Sequence, residues 1–240
     1  MAALRARAVA VQERCLLRSI AIVVPVHNER ANLPAAWAHL APCVYQGVQV
    51  VLVDGDSTDG TPVQAQALGF SVVSSEKGRA VQMNTGVQHV SADAFLFLHI
   101  DTQLPAGWLN AVQSHLQGSV QWGRFDVQIA GRSPMLRVIA CMMNWRSRYT
   151  GIATGDQAMF MTRQAFSTVG GFPLQPLMED IEMSKRLLRL SRPACIADTV
   201  TTSGRRWERY GVWRTIFLMW RLRFAYWRGQ NAAELAKAYP

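Results

Sequence analysis

The stretch Val50-Val-Leu-Val-Asp-Gly-Asp-Ser-Thr-Asp-Gly-Thr61 decides the fold. Four β-favouring apolar residues end at Asp54, and seven small, polar or acidic residues follow them. This pattern predicts a buried parallel strand whose C-terminal end carries a carboxylate, followed by a helix that begins near Thr61. Because ligands bind at the carboxyl ends of strands in open α/β sheets, we expect Asp54 to lie at a ligand site.

Strands and helices alternate outward from this stretch. Apolar runs predict strands at residues 20–26, 48–53, 70–73, 94–100, 120–129, 158–161 and 194–200. Helical patterns are predicted at residues 32–40, 78–90, 105–116, 135–149 and 180–190. The alternation predicts an α/β fold with a mostly parallel central sheet flanked by helices.

The composition excludes several classes of protein. The chain has 240 residues, half of them hydrophobic, so it can bury a core without a disulfide or a metal. Its four cysteines form no CxxC pair and no zinc-like cluster with histidine, which is typical of a reducing compartment. No uncharged apolar run reaches the roughly 18 residues of a membrane-spanning helix. Arginines interrupt residues 1–18, so we expect an N-terminal extension rather than a signal peptide, and a cytoplasmic protein.

The positive charge of the chain is confined to its C-terminal part. Residues 1–184 carry 13 Lys/Arg and 13 Asp/Glu, whereas residues 185–240 carry 12 and 3, which accounts for the whole net charge of +9. This segment is also aromatic, so we expect an anionic partner there: phosphate, a membrane surface or nucleic acid. The neutral first part and the absence of a nucleic-acid motif argue against nucleic acid.

One helical stripe in residues 210–230 is apolar and aromatic. Its members are Trp213, Ile216, Phe217, Trp220, Phe224 and Trp227. Arg214, Arg221 and Arg228 share a neighbouring flank. An amphipathic helix of this kind suits peripheral contact with the inner face of the cell membrane, and it equally suits packing on the domain or in a homo-oligomer.

Five motifs carry the candidate chemistry. They are Pro25-Val-His-Asn-Glu29, Val53-Asp-Gly-Asp-Ser-Thr-Asp-Gly60, Leu98-His-Ile-Asp101, Met178-Glu-Asp-Ile-Glu182 and Ser203-Gly-Arg-Arg-Trp207. Each motif alone is weak, because an acid after a strand is common. In this order and at these spacings, they resemble the family-2 glycosyltransferases, which have the GT-A fold. The second half is most similar to a bacterial subgroup associated with radical-SAM and selenodomain genes.

The resemblance implies a reaction and a division of the chain. The reaction would move a sugar from a nucleotide sugar, preferably a UDP-sugar, to the hydroxyl of a lipid or small-molecule acceptor, with inversion at the anomeric carbon. The implied division is an extension at 1–18, a GT-A domain at 19–209 and a basic aromatic helix at 210–240.

The resemblance also implies a divalent cation, Mg²⁺ or Mn²⁺, bound by Asp101. Such a cation would neutralise the charge that develops on the departing diphosphate. The first acid of the family's metal motif is replaced here by His99. A neutral imidazole can bind Mn²⁺ but suits Mg²⁺ poorly. His99 is therefore either a ligand or a hydrogen-bonded residue beside the site.

The acidic pair Glu179-Asp180 matches the catalytic pair of the family. The resemblance assigns the general base to Asp180, which would take the proton from the acceptor hydroxyl. Adjacent carboxylates raise each other's proton affinity. The alternative is an acidic first helical turn that the helix dipole favours.

Further residues are expected to contact the donor. They are Pro25, His27, Glu29, Asp54, Lys77, Arg79, His99, Arg205, Arg206 and Trp207. A carboxylate at Asp54 can accept hydrogen bonds from a base N–H or from ribose hydroxyls. The two basic residues at 77 and 79 open a helix, where free N–H groups also suit phosphate. Asp56 and Asp59 are interpreted as helix-capping residues, and Asp156 is either a turn acid or a contact to sugar or acceptor.

Three other classes of protein are alternatives to a sugar transferase. A nucleotidyltransferase of similar fold would carry a Gly-rich, Arg-containing loop after the first strand, where this chain has Pro-Val-His-Asn-Glu. No GxGxxG follows a strand, which disfavours a dinucleotide oxidoreductase. A non-catalytic scaffold that binds nucleotide sugars or membrane stays open, because His99 interrupts the acidic motif.

Overall fold

The computed structural model describes residues 19–116 and 119–239. The extension predicted at 1–18 lies outside these residues. The strands are β1 Ile20–Val26, β2 Gln49–Asp54, β3 Ser71–Ser74, β4 Ala94–Phe97, β5 Thr102–Gln103, β6 Trp122–Ala130, β7 Phe160–Thr162 and β8 Ala194–Ser203. They form one sheet in the order β3-β2-β1-β4-β7-β6-β8-β5.

Helices follow most of the strands. They are α1 Leu33–Tyr45, α2 Thr61–Leu68, α3 Arg79–Gln88, α4 Trp108–His115, α5 Met135–Thr150, α6 Arg163–Thr168, α7 Glu179–Leu187, α8 Arg205–Tyr210, α9 Val212–Trp227 and α10 Ala232–Lys237. Two 3₁₀ helices, Arg30–Asn32 and Gly155–Gln157, lie in loops. The predicted α/β fold is therefore confirmed, with additional short elements that carry no long periodic pattern in the sequence.

The first half of the sheet is parallel and the second half is mixed. β1 pairs in parallel with β2 and β4, and β2 pairs in parallel with β3. β7 is antiparallel to both β4 and β6, whereas β6 and β8 are parallel. The antiparallel β7 therefore separates the parallel strands β3, β2, β1 and β4 from the parallel pair β6 and β8, and the short β5 is antiparallel to β8.

Both faces of the sheet are covered by helices. Alternate residues of β1 belong to different hydrophobic clusters: Ile22 and Val24 to one face, Ala21 and Val23 to the other. Helices α1, α4 and α5 contribute to the first face, and α3 and α7 to the second. Burial on both faces explains why β1 and β2 are almost continuously apolar.

A third, smaller cluster joins the C-terminal helices to the domain. Leu222 of α9 and Leu235 of α10 are buried with Leu177 and Met178, which directly precede α7. One face of the predicted amphipathic helix therefore packs on the loop that leads to Asp180. None of the helices in the described part of the chain has the length and apolarity needed to cross a membrane.

Candidate functional site

Three of the predicted motifs meet at one edge of the sheet. β1, β2 and β4 are neighbours and run in parallel, so their carboxyl ends come together. β1 ends one residue before His27, β2 ends at Asp54, and β4 leads into His99 and Asp101. The strand predicted to reach residue 100 stops earlier because the chain turns, with the Thr102 N–H donating to the His99 carbonyl at 3.0 Å.

Asp54 is buried at this edge with one oxygen unused. Its side chain is only 4% exposed, and Oδ2 accepts a hydrogen bond from the Ser57 N–H at 3.0 Å. Oδ1 is also buried and has no hydrogen-bond partner among the described residues. A buried carboxylate oxygen without a donor is costly, so this atom is suited to accept a hydrogen bond from a ligand.

A glutamine that the sequence analysis did not identify ties the two strand ends together. Gln82, on the buried side of α3, donates through Nε2 to the carbonyls of Val26 at 2.7 Å and Val53 at 2.8 Å. Its close approach requires glycine at 55, since a Cβ there would lie 2.8 Å from the Gln82 side chain. The one sequence signal for this bridge is that Gln82 is a polar residue among the core positions of the predicted helix 78–90.

The loops after β1 and β2 are held by hydrogen bonds between polar side chains and the backbone. Asn28 has a left-handed backbone (φ 54°), and its Oδ1 accepts from the Thr58 N–H at 2.8 Å. Asp59 accepts from the N–H groups of Arg30 at 3.1 Å and Thr61 at 2.9 Å. The hydrogen bond from the Thr61 hydroxyl, together with these N–H groups, lowers the pKa of Asp59. Thr61 is the first residue of α2, so Asp59 acts as a helix-capping residue here.

An arginine links the ends of β1 and β4. Nη2 of Arg205 lies 3.1 Å from Oδ2 of Asp101 and 3.8 Å from Oε2 of Glu29. Glu29 also accepts a hydrogen bond from Asn32. The Arg205 side chain is 56% exposed, so these ion pairs contribute little to stability and can rearrange.

A second group of contacts surrounds Asp180 at the start of α7. Its Oδ1 accepts from the Ile181 N–H at 2.8 Å, and its Oδ2 accepts from the Gly155 N–H at 3.1 Å. Nδ1 of His99 lies 3.2 Å from Oδ1 of Asp156, so His99 faces Asp156. Glycine is required at 155, since a Cβ there would lie 2.6 Å from Nε2 of His99. Backbone contacts therefore place Asp180 beside the turn after β4.

The neighbouring carboxylates have pKa values that move in opposite directions. Burial raises the pKa of Asp180, and the charge of Asp156 adds to this against the two backbone N–H groups. Burial and the charge of Asp180 raise the pKa of Glu179, which is 6% exposed. The Asp156 side chain is 46% exposed; its partial burial raises the pKa, but the hydrogen bond and charge of His99 reverse this, and the net pKa is lowered. Such divergence among close carboxylates is typical of acid–base sites.

Two arginines add positive charge to this group. Arg79 is exposed to solvent, and the negative charges of Glu179, Asp156 and Asp180 raise its pKa. Arg79 is the first residue of α3 and therefore lies beside free N–H groups. Burial lowers the pKa of Arg146 on α5, and Asp180 opposes that shift. Arg146, whose Nε and Nη2 are buried without a partner in residues 19–116 and 119–239, was not among the predicted site residues.

The C-terminal end of the chain reaches the same group. The guanidinium of Arg206 lies 3.7 Å from the ring centre of Tyr239 and donates a hydrogen bond to its hydroxyl. Tyr239 packs in the third cluster, and it interacts electrostatically with Arg79, Asp156 and Asp180. Nη2 of Arg206 is buried and finds no partner within the described chain. No local pattern in the sequence pointed to Tyr239, since the last residues contain no motif.

The remaining predicted residues lie around the edge of this site. Pro25 is in β1 opposite Val53. Nδ1 of His27 is buried and unpartnered in the described chain. Lys77 is exposed and makes no hydrogen bond or ion pair with the residues the structure describes. Trp207 is half-buried and packs against the hydrophobic cluster on the first face of the sheet.

The carboxylates do not form a metal cage by themselves. The described residues contain no group of three histidine, cysteine, aspartate or glutamate side chains that could hold a metal ion. Asp101 is paired with Arg205, and His99 with Asp156. Mg²⁺ is often held by one or two carboxylates together with substrate phosphates. Asp101 therefore fits a cation that it would share with phosphate oxygens, once Arg205 moves aside.

Comparisons with known proteins point to one family. The sequence model of the family described as glycosyl transferase family 2 matches residues 21–169. No curated protein sequence matches the chain. A solved mannosyltransferase from Pyrobaculum calidifontis, in complex with GDP-Man and Mn²⁺, is similar with a TM-score of 0.61 and 21% identity, over 86% of this chain and 60% of that one. This chain therefore spans less than two thirds of the length of that relative.

A second similar structure is glucosyl-3-phosphoglycerate synthase from Mycobacterium tuberculosis in complex with Mg²⁺ and UDP. Its TM-score is 0.58 and its identity 20%, over 77% of this chain and 70% of that one. A further structure of that synthase, with Mn²⁺ and UDP-glucose, has a TM-score of 0.57 and 18% identity. At these identities the likeness shows the fold.

Proposed function

Because the chain belongs to glycosyl transferase family 2, we propose that it transfers a sugar from a nucleotide-sugar donor to an acceptor hydroxyl. One observation supports this most strongly. The ends of β1, β2 and β4 bring Glu29, Asp54 and Asp101 to one edge of the sheet, and backbone hydrogen bonds hold Asp180 beside the turn after β4. This edge is where open α/β sheets bind nucleotides.

In the proposed complex, Asp54 contacts the nucleoside and the arginines contact the diphosphate. The free Oδ1 of Asp54 would accept a hydrogen bond from a base N–H or a ribose hydroxyl. Arg79 and Arg206 carry the guanidinium groups suited to phosphate oxygens. The similar structures contain GDP-Man, UDP or UDP-glucose. The proposal of a UDP-sugar for this chain rests on the family resemblance of its motifs.

We propose that Asp101 holds a divalent cation together with the donor diphosphate. When bound, Mg²⁺ or Mn²⁺ would neutralise the charge of the leaving group. Both cations occur in the similar structures. Arg205, which pairs with Asp101 and Glu29, would turn toward the phosphates and bind them directly. Its exposed side chain has the freedom to do so.

Asp180 is proposed as the general base in a single displacement that inverts the anomeric carbon. Its carboxylate is held by two backbone N–H groups, so its orientation is set before the acceptor binds. The raised pKa of Asp180 brings the base closer to neutral pH, which favours proton transfer. The buried Glu179 interacts with Arg79 and would position that guanidinium beside the diphosphate.

The finer classification belongs to the same proposal. The order of the motifs and the residues in them support the radical-SAM-associated subgroup. They also support a division into a domain at 19–209 and a C-terminal helix at 210–240. The packing of Leu222 and Leu235 on Leu177 couples that helix to the loop before Asp180.

A panel of nucleotide sugars tests the proposal. Each donor is incubated with the protein and Mg²⁺, Mn²⁺ or EDTA, and nucleoside-diphosphate release and thermal shift are measured together. We expect one donor to bind and to be cleaved in a metal-dependent manner. Donor binding without release would show that the reaction lacks its acceptor, whereas neither binding nor release from any donor would favour the scaffold instead. Pyrophosphate release from a nucleoside triphosphate and a sugar phosphate would identify a nucleotidyltransferase.

A further inference from the structure

Exposed apolar side chains are concentrated on two helices. Nine of the twelve large hydrophobic residues exposed in the described chain lie on α5 or α9. On α5 they are Val138, Met142, Trp145 and Tyr149, which are 48% to 75% exposed. Their spacing of four, three and four residues places them on one side of the helix. Trp145 and Tyr149 are stacked, with ring planes 5° apart.

On α9 the exposed side is aromatic. Its members are Trp213, Phe217, Trp220, Phe224 and Trp227, which are 59% to 75% exposed. The opposite side of the helix contains the buried Thr215 and Leu222. Packing of that opposite side orients the aromatic side toward solvent. The rings of Phe217 and Trp220 are neighbours, as are those of Phe224 and Trp227. Such a concentration of exposed apolar side chains marks an interaction site rather than ordinary exposure.

The charges on these helices have one sign. Neither α5 nor α9 contains an aspartate or glutamate. Exposed arginines at 214, 221 and 228 follow one flank of the aromatic side, at intervals of seven residues. A partner that covers this surface must therefore present apolar groups together with negative charge, which is the chemistry of an anionic lipid surface.

A groove beside the aromatic side also combines apolar side chains with positively charged ones. It lies between α9 and α10, and Leu222, Ala225 and Leu235 form its apolar part. Arg221 and Arg228 also line it, together with a single acid, Glu234. An apolar groove with two guanidinium groups suits a lipid phosphate and the start of its acyl chains.

We propose that the exposed sides of α5 and α9 form a docking surface for an anionic membrane. The helices begin close together, since the Arg132 N–H just before α5 donates to Oε1 of Glu208 in α8 at 2.8 Å. The inner side of α9 packs on Leu177 and Met178, directly before the Glu179–Asp180 pair. Docking would hold the proposed acceptor site near the lipid surface. The interaction does not depend on sugar transfer, so binding and activity are tested separately.

Vesicle sedimentation with the full chain tests the docking surface. We expect the protein to pellet with vesicles of phosphatidylcholine and phosphatidylglycerol, and much less with phosphatidylcholine alone. Binding should weaken between about 0.1 M and about 0.5 M salt, because salt screens the arginines. Replacing Arg221 and Arg228 by glutamine should weaken binding about fivefold per arginine. Equal binding to neutral and anionic vesicles would overturn the proposal.

Paired serine substitutions separate the two helices. Trp220→Ser with Phe224→Ser, and Trp145→Ser with Tyr149→Ser, should each reduce vesicle binding by at least about tenfold. Thermal unfolding should remain unchanged, because these side chains are exposed. The matched control is Tyr45→Ser, which removes a side chain that is 79% exposed on another helix and should bind like the wild type.

Other results would assign the surface differently. A loss confined to the α9 pair would remove α5 from the docking surface. A dimer in analytical ultracentrifugation that the same substitutions dissociate, without any vesicle binding, would overturn the proposal in favour of a second copy of the chain.

Discussion

Replacing Asp180 by asparagine separates its chemical role from its structural one. The substitution keeps the size of the side chain and removes its charge and its ability to accept a proton. The carboxylate accepts hydrogen bonds from Ile181 at 2.8 Å and Gly155 at 3.1 Å, whereas an amide has one oxygen and keeps one of them. Losing one buried hydrogen bond costs about 1–3 kcal/mol. Removing a charge that burial disfavours offsets part of this cost.

The expected effect on turnover is larger than the effect on folding. A general base contributes about 10²–10⁴-fold in rate, which corresponds to about 2.7–5.4 kcal/mol of activation free energy. The protein should therefore remain folded and bind donor normally while its turnover falls by at least about a hundredfold. Nucleoside-diphosphate release measures turnover, and calorimetric titration measures donor affinity.

A matched variant on the same helix controls for charge. Glu182→Gln also removes an acid from the start of α7, but Glu182 is paired with Lys185 at 3.8 Å and Arg186 at 3.6 Å. We expect its turnover to stay within about threefold of the wild type, because surface pairs contribute little. The assignment of Asp180 as the general base fails if Asp180→Asn retains turnover within the same range. It also fails if donor affinity falls in parallel with turnover.

Further predictions concern pH, stability and donor binding. The acidic limb of kcat/KM should lie above the ordinary aspartate pKa of 3.8, because burial raises the pKa of Asp180, and Asp180→Asn should abolish that limb. The pKa of Glu179 is higher in the folded protein than its ordinary value of 4.5, which applies to the unfolded chain. The free energy of unfolding therefore falls as pH rises from 4.5 through the raised pKa of the folded state. Glu179→Gln should therefore raise the melting temperature at pH 7 but not at pH 4, and parallel curves would contradict this. Gln82→Met should lower the free energy of unfolding in urea by about 1–3 kcal/mol, because the Val26 and Val53 carbonyls both lose the Gln82 amide, although Val26 keeps the Gly55 N–H as a donor; an unchanged midpoint would show that the bridge is dispensable. Asp54→Asn should weaken donor affinity in calorimetric titration while leaving inorganic diphosphate affinity unchanged, and an equal loss for both ligands would place Asp54 at the phosphates.

Local patterns predicted the strands and the acids at their ends. β1 occupies the predicted residues 20–26, and β2 ends at Asp54, because a strand buried on both faces must be apolar along its whole length. The short elements were harder to predict. β5 has two residues and α8 has six, so neither shows a full period of alternation or of helical turns.

The pairing of the site residues could not be predicted in the same way. Arg205 meets Asp101 across 104 positions of the chain, and the Gly155 N–H reaches Asp180 across 25. The metal motif led us to consider His99 together with Asp101, but the structure pairs His99 with Asp156. Contacts of this kind depend on which loops the sheet order brings together, and sequence spacing carries no information about that order.

The sequence by itself determined the fold class, the buried strands and the positions of the acids, since each depends on neighbours within a few residues. It also determined which residues of α9 share one side. Only the tertiary structure decided that this aromatic side faces solvent, with Leu222 buried opposite it. Helical periodicity groups residues by direction, but which direction is buried depends on what packs against the helix, here Leu177 and Met178.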